Sequence, residues 1–476
     1  MGGTIELPIW LFGLIVIFAA VTFASHFLFP SVRWFFRRRA EKVVARLNER
    51  LDRPIEPFKL ARRYDTIQQL IYDPEVAQAV IEHAAETGVR EDVAFEEARR
   101  YAQEIVPSFS ATAYFRIGAR GARWLSTALY RVRLAHYDEA LSDVSADATV
   151  IFVMNHRSNM DYVLVTYLAS ERSALSYAVG EWARVWPLSR LIRAMGAYFI
   201  RRRSRSVLYR KVLARYVKMA TAAGVTQAIF PEGGLSLDGR LAPPKMGLLS
   251  YVIEGARTAK RDVVFVPVAL NYDRVFEDRV LMSAGVSGQR RFSAKISVVA
   301  GFALKQLWLR VTGRFYRFGY AAVSFGTPLS LAAAKSDDPA VIARRLMERI
   351  EAVIPVLPVP LVAHAVLAGA GDRIAVELYV TDLLRRAPQA HIHLPRNSVQ
   401  YAVEVGLRHL SLRAALTSGA RKDHDHRQTA DRVLCRIGRS SCSRSRKRPN
   451  CVIKFQYLRF KSCYVAQWAL PRCTTA

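Results

Sequence analysis

Cysteine is absent from the first 434 residues of this 476-residue chain, and all five cysteines fall between Cys435 and Cys473. A body without cysteine excludes disulfides, thiolate zinc sites and a thiol nucleophile from that part of the protein. The sequence also lacks a glycine-rich phosphate loop and a serine-centred nucleophile elbow. We therefore expect a cytoplasm-facing body whose chemistry depends on other side chains.

Negative charge is scarce as well, since 40 Asp and Glu residues stand against 70 Lys and Arg residues and give a net charge of +30. Such an excess favours an anionic partner: nucleic acid, an anionic bilayer, or a phosphorylated or acidic substrate. Hydrophobic residues make up 51% of the chain, which points toward a membrane. Composition alone does not choose among the three kinds of partner.

Charged side chains are missing from residues 7–29, a run of 23 residues without Asp, Glu, Lys or Arg. A helix of that length spans about 34 Å, enough to cross a hydrocarbon core of about 30 Å. Arg33, Arg37, Arg38 and Arg39 follow the run, whereas a cleaved signal peptide carries its positive charge before it. The positive-inside rule then predicts a single-pass anchor in the cytoplasmic (inner) membrane, with the body on the cytoplasmic side. The alternative is a buried core helix.

The pattern of apolar residues divides the chain into five regions. The first is the transmembrane anchor with its basic flank, and a helical region without strands follows it; these are residues 1–40 and 41–140. The third, residues 141–335, alternates strands with helices. Its predicted strands are residues 149–154, 174–179, 225–230, 263–270, 294–301 and 321–325. Residues 336–417 return to helical character.

The fifth region, residues 418–476, is a basic tail rich in Arg, Ser and Cys that has no helical periodicity. Its composition resembles out-of-frame translation, and we predict that it is disordered or out of frame. The functional alternative is a basic segment that binds a membrane or nucleic acid.

The alternation of strands and helices predicts an α/β fold with a mixed sheet covered by helices on both faces, an αβα arrangement. The first strand leads directly into Asn155 and His156, and Asp161 follows in the first turn of a helix capped by Ser158 and Asn159. Ligands gather at the carboxyl ends of strands in open α/β sheets. A histidine there, oriented by a carboxylate, suits a general base. The alternative is a partly buried histidine at a strand end.

Three further clusters follow in order. They are Gly196 with Phe199-Ile200-Arg201-Arg202, then Phe230-Pro231-Glu232-Gly233 with Ser236 and Lys245, then Val266-Pro267 with Tyr272-Asp273-Arg274. Each alone has a structural explanation: solvated arginines, an ordinary turn, and a proline that marks an edge strand. Their joint appearance in this order has few alternatives.

With these four blocks, residues 90–415 resemble the glycerolipid acyltransferase superfamily, in the branch that acylates glycerol 3-phosphate and dihydroxyacetone phosphate. The resemblance implies the αβα fold of the glycerol-3-phosphate acyltransferase type, with residues 141–335 as the catalytic domain. It implies acyl-CoA or acyl carrier protein as the donor, glycerol 3-phosphate or lysophosphatidic acid as the acceptor, and a lipid bilayer as the setting. No cofactor, metal or nucleic acid is expected.

The same resemblance assigns roles to the quoted residues. His156 would take a proton from the acceptor hydroxyl, and Asp161 would orient its ring. Arg201 and Arg202 would bind the acceptor phosphate, Glu232 would position acceptor hydroxyls, and Pro267 would shape the donor pocket. Backbone N–H groups around Gly233 and Gly234 are candidates for the oxyanion site. The remaining predicted substrate-binding residues are Ser236 and Lys245.

One departure concerns the third block, where the family commonly carries arginines that contact phosphate. Leu235 and Leu237 stand at those positions here. Either Arg201, Arg202, Arg203 or Lys245 supply the charge, or the acceptor is not simple glycerol 3-phosphate. We thus expect acyl transfer to the sn-1 hydroxyl of glycerol 3-phosphate, with lysophosphatidic acid as the alternative acceptor. The non-enzymatic alternative is a basic, membrane-tethered lipid-binding protein.

Overall fold

The computed structural model describes residues 8–170, 172–180, 183–186, 188–201, 204, 206–278, 281, 308, 312, 317–334, 336, 338–387 and 391–412. Within residues 24–40, the described side chains are those of Phe35, Arg38 and Arg39. Arg202, Arg203, the predicted strand at residues 294–301 and the tail at residues 418–476 lie outside the described residues. The chain divides into two compact units, residues 1–55 and 56–476.

The first unit contains one long helix, α1 (Ile9–Asn48). Most of its described apolar side chains are exposed, among them Trp10 at 68% and Phe18 at 72%. Across the described part of the chain, no helix combines the length and apolarity needed to span a bilayer. The anchor predicted for residues 7–29 includes residues 24–29, whose side chains are not among those described.

The second unit is built on one mixed sheet. Its described strands are β1 (Arg131–Ala135), β2 (Thr149–Met154), β3 (Ser176–Gly180), β4 (Tyr198–Ile200), β5 (Gln227–Ile229), β6 (Val263–Tyr272), β7 (Tyr320–Phe325) and β8 (Leu329–Ser330). They lie in the order β1-β7-β6-β2-β5-β3-β4, and β8 also pairs with β6. The five strands from β6 to β4 are parallel, whereas β7 runs antiparallel to β6 and parallel to β1. The carboxyl ends of β2, β4, β5 and β6 therefore meet at one edge.

Helices cover both faces of this sheet, and the last three helices of the unit pack into a cluster of their own. They are α2 (Pro57–Leu60), α3 (Arg63–Ile71), α4 (Pro74–Thr87), α5 (Glu91–Ile105), α6 (Ala119–Leu129), α7 (Tyr137–Leu141), α8 (Met160–Ala169), α9 (Leu188–Ala194), α10 (Val207–Ala222), α11 (Met246–Arg257), α12 (Pro339–Ala352), α13 (Pro358–Leu367), α14 (Arg373–Arg386) and α15 (Val399–Leu412). A short π-helix, Ala113–Gly118, precedes α6.

The strand β2 shows why the fold has three layers. All six of its residues are buried. Ile151 and Val153 pack into the core formed with α3, α4, α5, α10, α11 and α12. Val150, Phe152 and Met154 point to the other face and pack with α6, α7 and α8. Because successive side chains of a strand alternate between faces, an unbroken apolar run belongs to a strand covered on both sides. The predicted αβα arrangement is confirmed.

The prediction that no strand precedes residue 149 is wrong, because β1 begins at Arg131. This strand lies at the edge of the sheet, and its residues are exposed or half-buried rather than buried. An edge strand carries little of the apolar pattern that marks a central one. The short strand β4 was missed as well; its three residues stand inside the block that was singled out for its arginines.

Pro267 lies in a central strand, so the edge-strand explanation of this proline is wrong. It is aligned with Val153 of β2. On the opposite side, β7 pairs with β6 from Val268 onward, and β8 pairs with it only up to Phe265. Proline has no N–H to donate to a neighbouring strand. It is tolerated here because it falls between the stretch that pairs with β8 and the stretch that pairs with β7.

Candidate active site

His156 and Asp161 contact each other at the carboxyl end of β2. The His156 Nδ1 atom lies 2.9 Å from the Asp161 Oδ2 atom, and the two side chains are 1% and 0% exposed. A carboxylate only accepts hydrogen bonds, so the ring donates from Nδ1 and its basic lone pair is on Nε2. The imidazole also packs against Phe230, with ring centroids 4.3 Å apart. The predicted orientation of His156 by Asp161 is therefore present in the fold.

Three more donors converge on the Asp161 carboxylate. The backbone N–H groups of Arg157 and Ser158 donate to Oδ2 at 2.7 and 2.9 Å, and the Tyr272 hydroxyl donates to Oδ1 at 2.7 Å. Burial and the neighbouring Asp161 raise the pKa of Tyr272 well above its usual range, so this hydroxyl stays protonated. A buried carboxylate is tolerated when its oxygens are satisfied in this way. Tyr272 belongs to a quoted block, but the sequence suggested no role for it.

Glu232, in the loop after β5, binds two backbone N–H groups with its carboxylate. Its Oε1 atom accepts the His156 N–H at 2.8 Å, and its Oε2 atom accepts the Ala242 N–H at 2.9 Å. Burial raises the pKa of Glu232 to about 7, while these two N–H donors and Arg157 act in the opposite direction. The sequence predicted that Glu232 faces acceptor hydroxyls. In the structure both oxygens already hold the chain around His156, so the contact with acceptor hydroxyls stays a prediction.

The loop after β5 brings the other predicted residues of the third block close to His156. The Ser236 N–H donates to the His156 carbonyl at 3.0 Å, and its hydroxyl donates to the Arg240 carbonyl at 2.8 Å. Gly233 has a φ of +63°, and a Cβ there would lie 2.7 Å from the Lys245 Cδ atom. Glycine thus allows both the left-handed turn and the approach of Lys245. The Gly233 N–H donates to the Phe230 carbonyl at 3.0 Å, which argues against its use for an oxyanion.

Two further buried side chains lie near the site; Glu277 was missed from the sequence, and Asn155 was quoted there without a role. Glu277 accepts the Ser158 hydroxyl at 2.7 Å and the Asn159 N–H at 3.1 Å, and burial raises its pKa. Asn155 donates to the Leu270 carbonyl at 3.0 Å and accepts the Leu270 N–H at 2.7 Å. The amide of Asn155 therefore continues the pairing of β2 with β6 beyond the strand end. The contact of Glu277 with Ser158 could not be predicted from the sequence, because the two residues are 119 positions apart.

Arg201, at the end of β4, belongs to a separate network. Its Nη2 atom lies 2.7 Å from Glu104 Oε2, its Nε atom lies 2.9 Å from Glu104 Oε1, and Arg184 also pairs with Glu104. The guanidinium lies 5.1 Å from the Tyr101 ring. The structure therefore holds Arg201 by a carboxylate from the helical region that precedes the sheet. Its predicted partner, Arg202, lies outside the described residues.

The structure thus brings His156, Asp161, Glu232 and Ser236 into direct contact, with Gly233 and Lys245 in the adjoining loop. Pro267 lies within β6, and Arg201 lies with Glu104 instead. Among the residues that the structure describes, no three His, Cys, Asp or Glu side chains are grouped to hold a metal ion.

Comparison with known families identifies the class of this domain. Residues 136–271 match the family described as Acyltransferase. This stretch runs from His136, directly before α7, to Asn271 and includes His156, Asp161 and Glu232. The chain therefore contains an acyltransferase domain, and the resemblance expected from the four blocks is confirmed at that level.

Three curated relatives carry the name glycerol-3-phosphate acyltransferase. The relative from Ectopseudomonas mendocina is 31% identical over 280 residues, which cover 57% of this chain and 32% of the relative. The relative from Aeromonas hydrophila is 32% identical over 278 residues, 57% of this chain and 33% of the relative. The relative from Shewanella sp. (strain MR-4) is 30% identical over 380 residues, 72% of this chain and 46% of the relative. The chain spans about a third to about half the length of these relatives.

Among solved structures, the chain is similar to the 1-acyl-sn-glycerophosphate (LPA) acyltransferase PlsC from Thermotoga maritima. The identity is 18% and the TM-score is 0.32, with 54% of this chain and 79% of that chain covered.

The raised pKa of Glu232 predicts a pH-dependent stability. An acid with a higher pKa in the folded state than in the unfolded state binds its proton more tightly when folded. Its contribution is complete below the ordinary value of 4.5 and is lost as the pH rises through about 7. We expect the free energy of unfolding to fall less over this range in Glu232→Gln than in the wild type, as measured by urea denaturation. Glu86→Gln, at an exposed position, is the matched control; equal slopes in both variants would contradict the prediction.

Proposed function

We propose that this chain transfers a fatty acyl group from acyl-CoA or acyl carrier protein to the sn-1 hydroxyl of glycerol 3-phosphate. The observation that carries the proposal is the buried His156–Asp161 pair at the strand end of a domain that matches the Acyltransferase family. The similarity to relatives named glycerol-3-phosphate acyltransferase supports this choice of acceptor. It does so over part of their length only.

In the proposed reaction, His156 Nε2 takes the proton of the acceptor hydroxyl as that oxygen attacks the thioester carbonyl. The new C–O bond forms, the C–S bond breaks, and the imidazolium returns the proton to the departing thiolate. Asp161 keeps the ring in one tautomer and stabilises the imidazolium that forms. No covalent acyl-enzyme is needed, which agrees with a body that lacks cysteine.

Positive charge for the acceptor phosphate is proposed to come from Arg201, Arg202 and Lys245. Guanidinium groups suit phosphate because they donate two parallel hydrogen bonds. Arg201 would then exchange Glu104 for the incoming phosphate. Lys245 lies beside Gly233, in the loop that contacts His156. It would therefore add positive charge on the His156 side of the site.

The second candidate acceptor is lysophosphatidic acid. Leu235 and Leu237, at positions where the family commonly has arginine, are partly buried against the core beneath α8. These two side chains therefore contribute packing and no charge. A site with less positive charge and more apolar surface suits an acceptor that already carries an acyl chain.

The function is tested by radiolabelled acyl transfer with glycerol 3-phosphate and lysophosphatidic acid offered side by side. His156→Ala should lower kcat/KM by about 10²–10⁴-fold, the usual contribution of a general base. His364→Ala, which removes a histidine from α13, should act like the wild type. Product from lysophosphatidic acid alone would reassign the acceptor and leave the proposed mechanism unchanged. Equal rates in the two variants would refute the assignment of His156.

Tyr272 is proposed as a positioning residue, because it reaches the chemistry only through Asp161. Tyr272→Phe keeps the ring and removes the 2.7 Å hydrogen bond to Asp161. We expect kcat to fall about tenfold, equivalent to ~1.4 kcal/mol, with little change in KM. Tyr130→Phe is the control, since Tyr130 packs 5.3 Å from Tyr272 but donates to the Arg274 carbonyl. A similar loss of kcat in both variants would indicate a general packing effect.

We also propose that residues 7–29 attach the chain to the cytoplasmic membrane, with the acyltransferase domain on the cytoplasmic side. Support comes from the uncharged run itself, the arginines after it and the exposed apolar side chains of α1. The full chain should stay in the membrane pellet after an alkaline carbonate wash, whereas Leu14→Arg with Ile17→Arg should be released. The control pair, Ile374→Arg with Leu378→Arg, changes exposed apolar residues of α14 and should stay in the pellet. Release of the wild type would argue against this anchor.

A further inference from the structure

A second group of positive side chains lies at the opposite end of the sheet from Arg201, where β1 and β7 begin. A cavity of about 130 Å³ opens there between the two strands and the helix α15. Its polar lining consists of Arg131, Arg317, Arg408, His409, Tyr320 and Tyr401. No carboxylate belongs to the described residues that line it. The cavity therefore has the charge and the donors of an anion site.

The floor of this cavity is fixed by packing. Tyr320 is 3% exposed and packs with Leu357 and Val405. Arg131 donates to the Tyr320 hydroxyl at 3.4 Å, and its guanidinium lies 5.7 Å from the tyrosine ring. The hydrogen bond to Tyr320, and to a smaller extent one to Tyr401, raises the pKa of Arg131. The arginine is thus placed before any ligand arrives, which lowers the entropy cost of binding.

Positive charge continues beside the cavity. The Arg133 guanidinium lies 5.5 Å from the Tyr320 ring, and its Nε atom is 3.4 Å from His393 Nε2. Burial lowers the pKa of His393, and the neighbouring Arg133 lowers it further. Burial also lowers the pKa of His391, with a smaller effect from His136. The positive charge added beside the cavity is therefore that of Arg133.

The position of the cavity bears on which anion fits. Because β7 is antiparallel to β6, Tyr320 lies beside Asp273 and donates its N–H to that carboxylate at 2.7 Å. Three strand spacings of about 4.8 Å separate β2 from β1, so the cavity is about 14 Å or more from His156. The phosphate of glycerol 3-phosphate is only a few bonds from its reacting hydroxyl. The phosphates of an acyl-CoA lie beyond the whole pantetheine arm.

We infer that the cavity lined by Arg131, Arg317 and Arg408 is a binding site for phosphate esters, distinct from the site of the acceptor phosphate. Two sources present this chemistry: the nucleotide end of an acyl-CoA and the headgroup of an anionic phospholipid. The expectation of a phosphate, rather than another anion, rests on the proposed function. The geometry of the cavity does not depend on it.

Binding to the full chain is measured without acyl transfer, so this test and the test of the proposed function fail separately. The probes are free coenzyme A and inorganic phosphate by calorimetry, and phosphatidylglycerol vesicles by flotation against phosphatidylcholine vesicles. Arg131→Gln and Arg317→Gln should each weaken at least one probe about tenfold, the effect of one charge-assisted hydrogen bond. Arg385→Gln removes the same charge from an exposed position on α14 and should bind like the wild type.

The outcomes separate the sources. Weakening for coenzyme A assigns the cavity to the donor, weakening for the phosphatidylglycerol vesicles alone assigns it to a lipid headgroup, and weakening for inorganic phosphate alone assigns it to free phosphate. Arg317 is exposed and outside the strands, so its variant keeps the test decisive if Arg131→Gln fails to fold. Equal binding of every probe by all three variants, or an equal loss in all three, overturns the inference.

Discussion

The burial of the Asp161 carboxylate is the constraint on which the site depends. A carboxylate that is 0% exposed costs several kcal/mol unless its oxygens are satisfied, and here four donors do so. Two donors are backbone groups of the turn after β2, one is the His156 ring, and one is Tyr272 at the end of β6. The turn, the ring and the register of β2 with β6 must therefore form together. Asn155 secures that register, because its amide pairs with both backbone groups of Leu270.

The sequence predicted what is local and missed what is distant. The bounds of β2 agree with the prediction, since an unbroken apolar run is a strong signal, and His156 meets Asp161 across a single turn. The alternation of strands and helices also predicted the three layers. The partners of Glu232 could not be predicted, because the choice between a substrate hydroxyl and a backbone N–H depends on where β5 lies beside β2. The strand β1 was missed because its exposed arginines at an edge have no apolar period.

Arg201 illustrates the same limit for charge. A run of arginines in a sequence with few acidic residues indicates an anion site. A single carboxylate far away in the sequence can nevertheless neutralise part of that positive charge. Glu104, 97 residues away and on the helix α5, accepts three hydrogen bonds from Arg201 and pairs with Arg184. An incoming phosphate therefore competes with a carboxylate that is already held. The net binding free energy is the difference between the interaction of Arg201 with the phosphate and its interaction with Glu104. This difference is larger for a dianionic phosphate than for a monoanion.

The order of the strands places positive charge on both sides of His156. The strand β2 is near the middle of the sheet, β4 with Arg201 is at one end, and β1 with Arg131 is at the other. Acyl transfer as proposed joins two substrates that both carry phosphate, whose negative charges repel each other most strongly in a site that excludes water. Separate cationic clusters on opposite flanks would hold those phosphates apart. Only the hydroxyl and the thioester would then have to meet at His156, where the described side chains are buried and the strand ends converge.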